Sequence, residues 1–297
     1  MIDAPPNAPL CAAPDPSPRA PNFKMPVGAC DSHAHICGPI SDFAYSPDRI
    51  YTPPDCLLAD YNQMLSTLGV EKAVLVQPSI YGTDNTVMLK AMAETAMPVR
   101  GVAVVDGSID ESELRVMHNA GVRGVRFNLV DVADPSGDIP LDDVKAMAER
   151  IKPMGWHVEF LVHVDDYPNF DEMFAEFPTN IAVGHLGYIR PGQDTSIPGF
   201  QALLRLMQAG KCWTKLTGPY RISSGDVPYA DTTPFAHALI EAAPEQVIWG
   251  TDWPHVMVKK PMPNDGDLCD MLAVWIPDAD IQKQVLVDNP TRLYDFD

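Results

Sequence analysis

The chain has 297 residues and a formal charge of −19 at pH 7, with 46% hydrophobic and 21% charged residues. That length suits one barrel-sized domain with an extension, and the apolar content suits a globule, not a disordered chain. The negative charge argues against nucleic acid and anionic membranes as partners, and it makes single arginines in loops informative if the substrate is itself an anion.

Residues 1–27 are rich in proline and alanine with little apolar periodicity, and are expected to form an arm on the surface of a domain spanning 28–297. The chain does not open with a basic segment followed by an apolar run, and no stretch approaches ~18 uninterrupted apolar residues, so a cytoplasmic location is expected. Cys11, Cys30, Cys37, Cys56, Cys212 and Cys269 form no CxxC pair and no dense framework, and they read as reduced thiols.

From residue 29 onward, short β-rich runs alternate with segments of helical pattern. The expected strands are 29–33, 72–77, 100–105, 122–128, 156–162, 181–186, 212–216 and 246–250. Helical patterns occupy 55–67, 84–96, 110–119, 141–151, 168–176, 199–208 and 232–242, with a final group after Gly266. Asp55, Asp84 and Asp110 stand where an N-cap would satisfy orphan backbone donors. Eight such units predict an α/β fold, a (β/α)8 TIM barrel. A doubly wound open sheet uses the same units. Closure is favoured because no GxGxxG follows the first strand, and because polar residues gather past the C-terminal ends of several strands, where barrels build their sites.

Asp31-Ser32-His33-Ala34-His35 closes the first strand. Residues two apart in an extended segment point the same way, so the two imidazoles converge on one ion or one water. Alone, an HxH pair is more often structural. His163 ends the fifth strand in EFLVHVDD and His185 the sixth in IAVGHLG, positions often held by a merely hydrogen-bonded rim histidine. The eighth strand ends VIWGTDWPH, placing Asp252 where a barrel closes beside strand one. A carboxylate beside two histidines across that seam can ligate a divalent ion, accept a proton from bound water, or do both in turn.

Together, DSHAH, the strand-end His185 and WGTDWPH resemble the amidohydrolase superfamily. More narrowly, HAHICGP, YGTDNTVMLKAMAE, RGVAVVDGSIDESEL, GVRGVRFN, WGTDWPH and DNPTRLY are similar to its branch of 2-pyrone-4,6-dicarboxylate lactonases and 4-sulfomuconolactone hydrolases, which also holds a sugar-lactone isomerase. The similarity runs from about Gly28 to the C-terminus. It implies hydrolysis of a small anionic unsaturated lactone from aromatic-compound breakdown. In that reading Asp252 takes the proton of the attacking water and returns it to the leaving enolate, while His33, His35 and His185 hold or polarise the reacting oxygens. Arg126 in GVRFN matches a substrate-binding arginine, and Arg221 in GPYRISS and Tyr51 in RIYTP resemble further substrate contacts. A salt bridge or a packing role is the plainer alternative for each.

The chain departs from the branch in two places. The dicarboxylate lactonase carries a second arginine shortly after RFN, where this chain reads Asn128-Leu129-Val130-Asp131, so a different second anion such as a sulfonate fits at least as well. That lactonase also works without metal, and its fifth strand does not end in histidine. Here His33, His35, His163 and Asp252, with His185 nearby, are expected to hold one divalent ion, zinc or manganese, with metal-independent hydrolysis by Asp252 as the alternative. Rival readings on the same fold are a sugar-lactone isomerase and a metal-dependent decarboxylase. A non-catalytic binder of an anionic metabolite would need only the arginines. The oligomeric state stays open.

Overall fold

The segment KAVLV, Lys72–Val76, is buried from its second residue onward, as expected of a strand covered by side chains on one face and by helices on the other. It is the second of eight strands in the computed structural model, which describes residues 8–131 and 138–296. The strands are β1 (Cys30–Ala34), β2 (Lys72–Val76), β3 (Val99–Ala103), β4 (Val122–Asn128), β5 (His157–Leu161), β6 (Ile181–Val183), β7 (Cys212–Leu216) and β8 (Val247–Trp249). Each is parallel to the next, in chain order. Between them lie α1 (Leu58–Leu68), α2 (Thr86–Glu94), α3 (Glu111–Asn119), α4 (Leu141–Ile151), α5 (Phe170–Phe174), α6 (Pro198–Gln208) and α7 (Thr233–Ala242). Short helical segments follow β8 as far as Tyr294. The fold is the expected (β/α)8 barrel.

The ring closes where β8 meets β1. Asp252 N donates to His33 O at 2.8 Å and His35 N to Trp253 O at 2.8 Å. Gly250 is required at this seam, because a Cβ there would lie 2.6 Å from the His33 nitrogen. Asp31 ties the same junction from within: its carboxylate accepts from Thr251 N at 2.9 Å, Thr251 Oγ1 at 2.6 Å, Tyr61 Oη at 2.9 Å and its neighbour His33 N at 3.0 Å.

Burial pushes the Asp31 carboxyl up to about 6, against the opposing pull of these hydrogen bonds. The folded chain therefore holds this proton more tightly than the unfolded chain does. The group's contribution to stability is fully present below about pH 4 and falls away as pH rises through about 6. Asp31→Asn cannot ionise, so its stability relative to the parent should improve between about pH 5 and about pH 7. Denaturant midpoints at both pH values check this, and a constant offset would refute it.

The three expected helix caps fare differently. Asp110 caps α3 as expected, accepting from Ser112 N and Glu113 N. Asp84 accepts from Thr86 N at the start of α2. Asp55, however, accepts from Ile40 N, and α1 begins only after Leu57. The arm, described from residue 8, lies on the barrel: Thr52 N donates to Pro9 O, and Arg19 pairs with Asp267 and Asp270. Residues 1–7 of that expected arm lie outside the described residues. Among the described residues, no helix is long and apolar enough to cross a membrane.

Candidate active site

Because all eight strands run the same way, the segments leaving their C-terminal ends meet at one mouth of the barrel. His33 comes from β1 and His35 from just beyond it, His185 follows β6, and Asp252 follows β8. The His33 ring lies 4.9 Å from that of His35 and 5.3 Å from that of His185, edge-on to both. Asp252 Oδ1 is 3.6 Å from His33 Nε2 and 3.9 Å from His35 Nε2. All four side chains are buried.

The surrounding bonds set what each group offers. His35 Nδ1 lies 2.7 Å from the Val76 carbonyl, which only accepts, so Nδ1 carries the hydrogen and Nε2 turns a lone pair into the cluster. The Thr217 hydroxyl accepts the backbone N–H of His185 and lies 2.8 Å from His185 Nδ1, where it can donate to a bare ring nitrogen or accept from a protonated one. Burial lowers the pKa of all three imidazoles, which are therefore neutral at pH 7. Burial works against ionised Asp252, but the Arg221 guanidinium at 2.7 Å is the largest of the influences that hold the carboxyl well below its usual range.

Asp252 Oδ2 is fully engaged, by Tyr220 Oη at 2.5 Å and Arg221 Nε at 2.7 Å. Tyr220 Oη also lies 3.0 Å from His255 Nδ1, and His255 Nε2 lies 3.0 Å from Asp265 Oδ1. Gly218 makes room for this packing with φ +52, since a Cβ there would sit 2.8 Å from Asp252 Oδ2 and 3.0 Å from His185 Nδ1. Oδ1 of Asp252 and Nε2 of His33 are different. Both are buried without a hydrogen-bond partner among the described residues, and buried polar atoms are nearly always satisfied.

Those facing atoms suit a water or an ion. In a tetrahedral zinc site with bonds of roughly 2.0–2.2 Å, donors stand roughly 3.4 Å apart. The separations of 3.6 and 3.9 Å from Asp252 Oδ1 are close to that, and the three ligand atoms lie within 4.8 Å of one another. Two neutral imidazoles and a carboxylate are a suitable donor set. His163 is not brought into this group. It stands two residues beyond the end of β5, its Nδ1 lies 2.6 Å from the Tyr188 carbonyl and its ring rests against Tyr188.

Arg126, on β4, is 6% exposed and donates from Nη1 to Gln77 O at 3.2 Å, while its Nε has no partner. No salt bridge to it is found among the described residues, so a buried cation keeps donor capacity for an anion. Tyr51 is 3% exposed, with Ser79 Oγ donating to its hydroxyl at 3.4 Å. Arg221 differs from expectation. Its Nε is committed to Asp252 and its Nη2 to Val256 O at 3.1 Å, so much of its fork holds the carboxylate in place. It also lines a cleft of about 420 Å³ at the mouth, with Asp131, Tyr188, Tyr220, Lys259 and Lys260.

Sequence reasoning missed Glu159 on β5 and Lys215 on β7, which form a buried ion pair at 2.5 Å directly beneath His33. The available signal was a charged residue in the middle of each strand, in HVEFL and CWTKL. Charges on strands enclosed on both faces are expected only where they are paired.

A family model described as amidohydrolase matches residues 30–296. The chain is 38% identical to a 2-pyrone-4,6-dicarboxylate hydrolase of Comamonas testosteroni, over 94% of this chain and 93% of the relative. It is 35% identical to a 4-sulfomuconolactone hydrolase of Rhizobium radiobacter, over 96% of both chains. Its fold matches the crystal structure of a putative 2-pyrone-4,6-dicarboxylic acid hydrolase from Pseudomonas putida with a TM-score of 0.79 and 31% identity, covering 92% of this chain and 99% of the other.

Proposed function

This chain belongs to the amidohydrolase family and is an enzyme of the lactone hydrolase type, and from that premise we propose a mechanism in which Asp252 delivers water to the carbonyl of a small anionic unsaturated lactone. The observation that carries the mechanism is the unpartnered Oδ1 of Asp252, facing the imidazoles while Oδ2 is held by Tyr220 and Arg221.

With no ion bound, a water at this point donates one hydrogen to Asp252 Oδ1 and the other to the bare Nε2 of His35. Attack on the ring carbonyl passes its proton to Asp252, and a tetrahedral oxyanion forms. His185, with Thr217 donating to its Nδ1 and its ring hydrogen on Nε2, is the donor for that oxyanion. Collapse expels the enolate, which recovers the proton from Asp252. Arg126 binds the substrate carboxylate, with Tyr51 beside it, and the free part of the Arg221 fork faces the mouth.

The relatives are named for a pyrone dicarboxylate and a sulfomuconolactone, and we take the substrate to be of this class, a breakdown product of aromatic compounds. Incubation with such lactones should consume one water and release a ring-opened acid. A product of unchanged mass would indicate isomerisation, and released carbon dioxide decarboxylation. Either result would displace this reading.

His33, His35 and Asp252 would hold one divalent ion, zinc or manganese, through two nitrogens and an oxygen. When bound, such an ion supplies Lewis acidity and makes hydroxide available near neutral pH. Chelation is expected to remove one equivalent of metal together with most turnover, and re-addition of zinc or manganese to restore both. A full rate in protein verified as metal-free would assign the chemistry to Asp252 alone.

A further inference from the structure

A donor and an acceptor face the same ring nitrogen of His33. The Lys215 ammonium stands 3.2 Å from Nδ1, and Glu159 Oε1 stands 3.4 Å from it. Both side chains are buried, and neither has a part in the mechanism above. An ammonium has three hydrogens and no lone pair. Lys215 finds three acceptors: Ser32 O at 2.9 Å, Glu159 Oε2 at 2.5 Å and His33 Nδ1 at 3.2 Å.

We propose that Lys215, anchored by Glu159 and the Ser32 carbonyl, donates to Nδ1 of His33 and so fixes that imidazole with its own hydrogen on Nε2, aimed at Asp252. Lys215 is thus a positioning residue. His33 and His35 then hold opposite tautomers, because His35 gives its Nδ1 hydrogen to Val76. A water between them accepts from His33 and donates to His35 and Asp252, which satisfies each polar atom facing the centre.

The same geometry ties Lys215 to the ion. A ligating His33 needs a bare Nε2, so its hydrogen must move to Nδ1, where Glu159 Oε1 is the acceptor and Lys215 must give up its third bond. Lys215 therefore opposes ion binding and Glu159 supports it. The inference rests on reading the cluster as a hydrolytic centre, but neither of its readouts requires turnover.

The test uses metal-stripped protein with 15N-labelled histidine, since ring 15N shifts separate protonated from bare nitrogens. The chain has eight histidines, and the spectrum of His33→Gln assigns the one in question. The parent should show Nε2 protonated and Nδ1 bare. In Lys215→Met, the ring hydrogen should move from Nε2 to Nδ1, where the now unopposed Glu159 carboxylate accepts it, and zinc affinity measured by chelator competition should tighten about tenfold or more. Should that variant fail to fold, Lys215→Met/Glu159→Gln removes both buried charges while leaving an amide oxygen to accept from Nδ1, and should still bind zinc more tightly than the parent. A protonated Nδ1 in the parent, or ring shifts and zinc affinity unmoved by the substitutions, overturns the proposal. If no lactone is hydrolysed while these readouts behave as stated, the proposed function falls and the Lys215 assignment stands.

Discussion

Asp252→Asn should lower kcat by about 10²–10⁴-fold, the usual contribution of a positioned general base. The substitution removes the proton acceptor at the reacting centre. The amide is nearly isosteric with the carboxylate, and its oxygen can still accept from Tyr220 and Arg221, but it cannot take a proton from water. The backbone tolerates the exchange as well: Asp252 has φ 63, a left-handed conformation that asparagine adopts more readily than most residues. Arg221 loses its counter-ion while buried, so a lower melting temperature is expected alongside retained secondary structure. Steady-state rates with circular dichroism on the same sample decide the matter. A folded variant turning over near the parental rate would remove Asp252 from the role of base.

Arg126→Met should act on the substrate instead of the chemistry. A hydrogen bond to a charged group is worth about 1.5–3 kcal/mol, so KM is expected to rise by about 10–100-fold with a smaller change in kcat. Stability should move the other way or not at all, because the variant removes a buried cation that has no carboxylate partner among the described residues. Loss of binding with unchanged or higher stability marks a residue kept for function. An unchanged KM would exclude Arg126 as the carboxylate's partner.

These roles differ in how far the chain announces them. Short β-rich runs separated by segments of helical pattern lead directly to eight parallel strands, and the HxH spacing with a carboxylate after the last strand leads to the His33–His35–Asp252 group, because closure makes the first and last strands neighbours. What depends on side-chain direction was not readable. Arg221 stands next to Tyr220 in sequence, yet its Nε turns to Asp252, 31 residues away. Glu159 and Lys215 lie 56 residues apart and meet only because both point into the barrel. His163 and His185 each stand two residues beyond a strand's end, but the turn after β5 hands the His163 ring to the Tyr188 carbonyl. Asp55 has a cap's position in the pattern and a different partner in space.

The loops after β6 and β8 have a peculiarity that bears on how this protein can change. Of eight non-glycine residues with positive φ among the described residues, six fall there: His185, Leu186, Tyr188, Asp252, His255 and Met257. Each such conformation costs of order 1–3 kcal/mol for most side chains and persists only because its surroundings enforce it. Few residue types fit those positions without a folding defect, so the two loops form a rigid anvil for the reaction. A descendant that accepts a new ring would have to vary elsewhere, on relaxed backbone such as that of Tyr51 and Asp131, where altering a side chain leaves the reacting end undisturbed.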